Sequence, residues 1–279
     1  MPNAKVYFTK DVSSAGLLAA YQALGKELPG KVLVKLHMGE EGNTNYLDPE
    51  LLRDLTAEVN GTFGDANTGY GGARSTAEGH RRVAAEHGFT YAPVDILDED
   101  GDIEVPANGK RIKRAIISSH VKDYDSFVSV AHFKGHAMAG FGGTLKNLAV
   151  GVASSRGKLD LHGSRFNYHG EEFLERLAEY SKAIIDSMGE NIVYLNVLCN
   201  LSTSCDCDSN APDSELADIG IVSSLDPIAI DQASVDLLVK YGGEKSALLD
   251  VIDSHKGTYT LGYGEQIGLG TRAYDLVEL

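Results

Sequence analysis

Two histidines and two lysines lie within one short glycine-rich segment, "HFKGHAMAGFGGTLKN", which covers residues 132–147. The two histidines are four residues apart, so they point to the same face of a strand if the strand continues past the intervening glycine. Neutral imidazoles bind transition metals, and histidine or lysine side chains also act as general acids and bases. The segment therefore predicts a reactive site whose catalytic candidates are His132, Lys134, His136 and Lys146.

The same segment has features of an anion-binding loop. Gly142, Gly143 and Thr144 stand where a helix should begin, so free N–H groups and the positive end of the helix dipole are expected to face a cleft. Arg156 and the two lysines add positive charge, against a formal net charge of −15 for the whole chain. We expect an anionic ligand such as a carboxylate or phosphate, although the spacing of a Walker loop is absent. The alternative is that the glycines make packing turns and the lysines reach solvent.

Polar groups also follow two other predicted strands. "KLHMGEEGN" offers His37 and Glu40, and "FGDANTGYGGAR" offers Asp65, Asn67 and Arg74. Histidine nitrogens and carboxylate oxygens together suit zinc, iron or nickel, although a histidine with a structural role is the alternative. These positions add His37, Glu40 and Asp65 to the two central histidines as metal-ligand candidates, and Asn67, Arg74 and Asn147 as ligand-binding candidates.

Three cysteines, Cys199, Cys205 and Cys207, cannot form a disulfide framework because one is left unpaired. This odd number favours a reducing compartment. In their polar, Asp-rich setting, Cys205 and Cys207 are candidates for binding iron, zinc or nickel, or for holding part of an iron–sulfur cluster. Ordinary buried thiols are the alternative.

Charge and hydropathy exclude several classes of function. The negative net charge disfavours a nucleic-acid or anionic-membrane binder. No apolar run approaches the roughly 20 residues that cross a bilayer, and the first residues lack the apolar region of a signal peptide. We therefore expect a cytoplasmic protein whose partner is an anionic small molecule, with a redox partner protein as the alternative if the cysteines bind iron.

Strand-like and helix-like segments alternate along the chain. This pattern predicts one α/β domain over residues 1–279, with a mostly parallel or mixed sheet covered by helices on both faces, in either a compact or a bilobed form. Helix starts are predicted at Ser13 or Ser14, at Asp48, at Thr76 and at Asp226, with a long helix from Gly170 to Gly189. The acidic stretch "ILDEDGDIEVPANGK" is predicted to form a surface hairpin. Ligands of such sheets bind beyond the carboxyl ends of the strands, so the polar segments are expected to converge there.

The motifs "VKLHMGEEGNTNYLDPELLRDL", "GDANTGYGGARSTAEGH", "AHFKGHAMAGFGGTLKN", "CDCDSNAP" and "DIGIVSSLDPIAIDQASVDLL" resemble the family known as domain of unknown function 362. Many members of that family carry a ferredoxin-type cysteine insert, and the resemblance implies an iron–sulfur centre. This chain lacks the insert after His162, so only the cysteines near residue 205 could replace it. The order histidine, Gly-Phe-Gly-Gly, lysine is also distantly similar to nickel-dependent lactate racemases. That likeness implies acid–base or metal roles for His132 or His136, and a cofactor contact for Lys146.

Three functions are compatible with these residues. The first is an enzyme that binds an anionic small molecule in a cleft rich in glycine, histidine and lysine, with a bound metal as a further expectation. The second is an iron–sulfur or metal-carrying redox protein that uses Cys205 and Cys207. The third is a small-molecule binder without catalysis. The first predicts that His132, Lys134, His136, Lys146, Asp65 and Arg74 line one pocket.

Overall fold

The computed structural model of the chain describes residues 3–163, 165–214, 216–243 and 245–279. Its strands are β1 (Ala4–Thr9), β2 (Val32–Lys35), β3 (Thr62–Asp65), β4 (Val94–Ile96), β5 (Asp102–Pro106), β6 (Arg114–Ser118), β7 (Ser126–His132), β8 (Lys134–His136), β9 (Gly140–Gly142), β10 (Ile192–Leu198), β11 (Gly220–Ser224) and β12 (Tyr274–Glu278). Its α-helices are α1 (Ser14–Gln22), α2 (Arg53–Glu58), α3 (Ala77–Glu86), α4 (Thr144–Val152), α5 (Ser155–His162), α6 (Gly170–Met188), α7 (Pro227–Gly242), α8 (Ala247–Ser254) and α9 (Tyr259–Gln266). Short 3-10 helices cover Pro49–Leu52, Ala73–Ser75 and Ser119–Asp123.

Eight strands form one sheet in the order β12-β1-β11-β10-β7-β2-β3-β4. Neighbouring strands are parallel except where β11 runs opposite to β1 and to β10. Two further antiparallel pairs, β5–β6 and β8–β9, lie outside this sheet. The predicted α/β fold with a mostly parallel sheet is confirmed, and the acidic stretch forms β5 and the turn that leads to β6.

Helices cover both faces of the sheet, as the sequence predicts. Leu33 of β2 belongs to a hydrophobic cluster with α4, α6 and α7, whereas Val32 and Val34 belong to a second cluster with α1, α2 and α3. Successive side chains of a strand point to opposite faces, so a strand with two covered faces is apolar throughout. This explains why "KVLVKL" shows no alternation of polar and apolar residues.

Several predicted helix boundaries are confirmed by their caps. Side chains of Ser13, Asp48, Thr76 and Asp226 each accept a hydrogen bond from a backbone N–H in the first turn of the following helix. Such caps satisfy N–H groups that have no partner within the helix. The long helix α6 ends where predicted, at Gly189, whose φ of 75° is typical of glycine after a helix.

Two features were not expected from the sequence. The segment that begins at Pro49 is divided into a 3-10 turn and the short helix α2. Helix α9 was missed because Gly262 and Gly264 are poor helix formers. A Cβ at Gly264 would lie 2.5 Å from Ile228 on α7, so this glycine permits the close packing that stabilises α9.

The strand order reverses between β2 and β7. From β2 the chain continues to β3 and β4 on one side, while β10, which follows β7 in the sheet, lies on the other side. Connections that leave neighbouring parallel strands in opposite directions open a crevice at the carboxyl ends of those strands. The crevice in this sheet lies beside Lys35 at the end of β2 and His132 at the end of β7.

Candidate functional site

A cavity of about 160 Å³ occupies this crevice at the ends of β2, β3 and β7. It has room for about five water molecules, and therefore for a small ligand. The six residues expected to share a pocket all line it, and the roles assigned to them remain predictions. The predicted site residues in its wall are His37, Asp65, Arg74, His132, Lys134, His136, Gly142, Gly143, Lys146, Asn147 and Cys207.

Buried ion pairs form the wall at the ends of β2 and β3. Nζ of Lys35 donates hydrogen bonds to Oδ1 of Asp65 at 3.0 Å and to Oδ1 of Asn147 at 3.2 Å. Nη2 of Arg74 donates to Oε2 of Glu40 at 3.0 Å, and Glu40 lies behind Arg74 rather than in the wall. Burial opposes ionisation of Asp65, but the combined effect of Lys35, His80 and His37 outweighs it and holds the pKa of Asp65 well below its usual range. Both predicted metal-binding carboxylates are therefore already paired with cations.

Both ring nitrogens of His132 form hydrogen bonds with other residues of the protein. Its Nδ1 lies 2.9 Å from Oδ1 of Asp206, and its Nε2 lies 2.7 Å from the carbonyl oxygen of Cys199. Lys134 donates to the other oxygen of Asp206 at 2.7 Å. Burial raises the pKa of the Asp206 carboxyl, whereas His132 and Lys134 lower it. The lowering is the larger effect, so the net change in the pKa is downward. Since both ring nitrogens face oxygen acceptors, neither is free to bind a ligand in the cavity.

The C-x-C segment meets the opening histidine–lysine segment at the cavity. One ligand atom from each of His136, Cys205 and Cys207 lies within 4.8 Å of the others. Nζ of Lys146 donates to Sγ of Cys205 at 3.3 Å. A hydrogen bond from the Cys207 thiol, together with the charge of Lys146, holds the pKa of Cys205 well below its usual range, while the same bond raises that of Cys207. The pair therefore favours a thiolate at Cys205.

Cys199 is separate from this group. It belongs to the hydrophobic cluster shared with α1, α2 and α3, where burial raises the pKa of its thiol to about 12. Iron–sulfur clusters are commonly held by four thiolates. Within the described parts of the chain, the group at the cavity has two sulfurs and one imidazole, so it offers fewer thiolates than such a cluster commonly uses.

Two histidines of the wall accept backbone hydrogen bonds at Nδ1. Nδ1 of His37 accepts from the amide of Gly39 at 3.1 Å, and Nδ1 of His136 accepts from the amides of Ala139 at 3.0 Å and Met138 at 3.3 Å. Burial lowers the pKa of both rings well below the usual value, so the neutral ring is favoured. A neutral ring that accepts at Nδ1 carries its proton at Nε2. His37 and His136 therefore offer N–H donors at Nε2.

Lys158 and His162 of α5, which follow the glycine-rich segment in the sequence, also line the cavity. Nζ of Lys158 donates to the carbonyl oxygens of Ala66 at 2.9 Å and Asn67 at 2.5 Å. Nδ1 of His162 lies 2.7 Å from the carbonyl oxygen of Lys158. Burial lowers the pKa of Lys158 to about 8 and that of His162 to about 4. Asn67, a predicted ligand-binding residue, lies outside the wall and holds Lys158 through its backbone.

The expectation of free N–H groups at the start of α4 is wrong. The amides of Thr144 and Leu145 donate to the two carboxylate oxygens of Asp231, at 2.7 and 3.0 Å. The Thr144 hydroxyl donates to Asn196, and its side chain is buried away from the cavity. Asp231 comes from α7, so it neutralises the positive end of the α4 dipole from another part of the fold.

Arg156 was expected at the opening of the cleft, and this expectation is also wrong. Its guanidinium donates to Asp102 at 2.6 Å and lies 3.5 Å from Glu104, with 54% of its side chain exposed. Lys158, two residues later, lies on the cavity side of the same helix. Lys35 was not expected in the wall, although a lysine within the apolar run "VLVKL" was a usable signal of a buried partner.

A family model described as domain of unknown function 362 (DUF362) matches residues 32–236, which include β2, β7, the glycine-rich segment and both thiols of the site. The chain belongs to this family. A comparison with curated proteins finds no match. Among the described helices, none is long and apolar enough to cross a membrane.

The fold of this DUF362 protein is similar to that of two solved structures. One is the lactate racemase apoprotein from Thermoanaerobacterium thermosaccharolyticum, with a TM-score of 0.54 and 15% identity, over 86% of this chain and 59% of the racemase. The other is a protein from Thermotoga maritima, with a TM-score of 0.49 and 12% identity, over 82% of this chain and 58% of that chain. This chain thus spans about three fifths of the length of the racemase, and the likeness concerns the fold.

Proposed function

We propose that this DUF362 protein is a metal-dependent enzyme that acts on a small anionic molecule. The observation that carries the proposal is the group formed by His136, Cys205 and Cys207, with ligand atoms within 4.8 Å of one another beside a lysine-lined cavity. A metal held there would lie next to any molecule bound in the cavity.

The donor set suits a soft transition metal such as nickel, zinc or iron. Thiolates are soft ligands, and the thiolate form of Cys205 is already favoured by the Cys207 thiol and by Lys146. A bound ion would supply a Lewis acid beside the substrate. His136 is the third ligand candidate, but its Nδ1 is occupied by backbone amides. Coordination through Nε2 would therefore require the ring proton to move from Nε2 to Nδ1, with loss of the two backbone hydrogen bonds that Nδ1 accepts.

The charges of the wall support an anionic substrate. Lys35 and Arg74 are paired with carboxylates, Lys134 with Asp206, and Lys146 with the Cys205 sulfur. Lys158 adds a fifth cation that donates only to carbonyl oxygens among the described residues. The wall and its immediate partners thus hold more basic than acidic groups, in a protein whose net charge is −15. An anion compensates such an excess.

Metal content tests the proposal directly. Wild type and the variants Cys205→Ser, Cys207→Ser and Cys199→Ser would be purified without oxygen, and their metal content and visible spectra recorded. We expect about one equivalent of metal in wild type and in Cys199→Ser, and loss of most of it in the other two variants. Cys199→Ser is the matched control because that thiol lies outside the ligand group.

Two results would contradict the proposal. One is the same metal content in all four proteins, which would place any metal elsewhere. The other is an absence of stoichiometric metal in wild type even after anaerobic incubation with nickel, zinc and ferrous ions.

A further inference from the structure

Within the part of the chain that the structure describes, Lys158 is the cavity lysine that forms no ion pair or hydrogen bond with an anionic group. An ammonium group has three N–H donors, and two of them are engaged by the carbonyl oxygens of Ala66 and Asn67. Among the described residues no carboxylate lies within ion-pair distance of Nζ, and the residue is only 8% exposed. One N–H donor, and a positive charge on which Asp65 and Asp98 act only without direct contact, thus remain for a ligand in the cavity that Lys158 lines.

His162, one helical turn after Lys158, offers the complementary group. Its Nδ1 faces the Lys158 carbonyl at 2.7 Å and must donate to it, so the lone pair of the neutral ring lies on Nε2. That atom makes no hydrogen bond within the described ranges of the chain, and the ring is 6% exposed. His37 and His136 have the opposite tautomer because their Nδ1 atoms accept. His162 is therefore the histidine in the wall that can accept a hydrogen bond.

We propose that the ligand of this cavity is an anion that itself carries a hydrogen-bond donor, with Lys158 binding its negative charge and Nε2 of His162 accepting its O–H or N–H. The inference rests on the anion-binding half of the proposed function and defines the class of substrate. An anion with acceptors alone would leave the lone pair of His162 without a partner and would lose one hydrogen bond. The low pKa of His162, about 4, keeps the ring neutral near pH 7.

Two pairs of probes distinguish anions that carry a hydrogen-bond donor from anions that have acceptors alone. Phosphate and sulfate have similar size and shape, but phosphate near pH 7 keeps at least one O–H. Glycolate and acetate are small carboxylates with and without a hydroxyl group. Calorimetric titration of the protein near pH 7 would measure each dissociation constant. We expect the donor-bearing member of at least one pair to bind about tenfold more tightly, the value of one hydrogen bond to a buried site.

Variants identify the residues responsible. His162→Asn keeps a donor near the position of Nδ1 and removes Nε2, so we expect the preference to fall to within about twofold. Lys158→Gln should weaken both members of the preferred pair by about tenfold or more. His255→Asn is the matched control, because Nδ1 of His255 contacts the carbonyl of Val251 in the same way but lies outside the cavity. Circular dichroism would confirm that each variant is folded.

The pair that shows the preference also identifies the kind of donor. A preference for phosphate over sulfate indicates a protonated oxyanion, and a preference for glycolate over acetate indicates an organic hydroxyl group. Equal affinity within both pairs, no binding of any probe at millimolar concentration, or an unchanged preference in a folded His162→Asn protein would overturn the inference. Metal content measured on the same samples separates the two proposals. Anion selectivity without stoichiometric metal would contradict the metal-dependent function and support this inference. Stoichiometric metal without anion selectivity would support the metal-dependent function and contradict this inference.

Discussion

At the scale of single residues, the cavity wall is built from charges that oppose folding unless they are paired. Lys35 and Lys134 are almost fully buried, and each is paired with a carboxylate at 3.0 Å or less. Lys158 is similarly buried but rests on two carbonyl oxygens. A buried charge without a counter-ion lowers stability. A group retained at that cost is a reasonable candidate for function.

The cost of burying Lys158 is expected to depend on pH. Its pKa in the folded protein is about 8, below the ordinary value of 10.5, so the folded state binds this proton more weakly than the unfolded state does. The charged form therefore opposes folding below pH 8, and the cost disappears as the pH rises through 8 to 10.5. We expect the free energy of unfolding of wild type to rise by about 3 kcal/mol relative to Lys158→Met over that window.

Chemical denaturation of both proteins at several pH values would measure this difference. Tyrosines and cysteines that titrate in the same range cancel because both proteins contain them. A difference that stays constant from pH 7 to 10.5 would show that Lys158 has an ordinary pKa in the folded state.

At the scale of elements, the short strand β8 and the cysteine segment are packed without spare space. The amide of Gly135 donates to the carbonyl of Ser202 at 2.8 Å. A Cβ added at Gly135 would lie 2.1 Å from the carbonyl oxygen of Thr203. The added Cβ would meet backbone atoms of Thr203 and not a flexible side chain, so the overlap cannot be relieved by a change of rotamer. Gly135 thereby fixes the distance between His136 and the two thiols.

We expect Gly135→Ala to displace the cysteine segment. The overlap should lower the free energy of unfolding by about 1–3 kcal/mol and reduce metal retention, because the imidazole and the thiols move apart. Thermal denaturation and metal analysis of the purified variant would measure the two effects.

Gly71→Ala is the matched control, since a Cβ there meets nothing within 4 Å. Wild-type stability and metal content in Gly135→Ala would show that the cysteine segment can shift freely, which would remove this argument for a fixed site.

In the molecule as a whole, strands at one edge of the sheet contribute to stability but lie far from the cavity. The cavity lies where β2 and β7 meet, whereas β12 pairs with β1 at the far edge. Deletion of residues 273–279 would remove β12 and expose the edge of β1. We expect a loss of roughly 2 kcal/mol from the apolar contacts of Leu276 and Val277, with anion affinity unchanged within about twofold.

Denaturation and anion titration of the truncated protein, below its unfolding temperature, would measure both quantities. A large loss of affinity in a protein that is still folded would show that the edge strands position the cavity.

The α/β class, many element boundaries and the convergence of the polar segments at one edge of the sheet follow from local features of the sequence. Hydrophobic runs, caps such as Ser13 and Asp226, and glycine-rich strand ends are local signals that act over a few residues. Parallel strands bring their carboxyl ends to one edge, so the convergence of Asp65, Arg74 and the histidine–lysine segment also followed from the pattern.

Which groups are available to a ligand depends on contacts that form only in the folded chain. Asp231 caps α4 from a helix 87 residues later, so no local signal reveals that those amides are occupied. Two residues turn a helix by about 200°, which sends Arg156 to the surface hairpin and Lys158 into the cavity. The tautomer of each histidine depends on the group that faces Nδ1, a backbone amide for His136 and a carbonyl for His162. Residue types locate chemistry in a sequence, but donors and acceptors are assigned by partners that meet only in the folded chain.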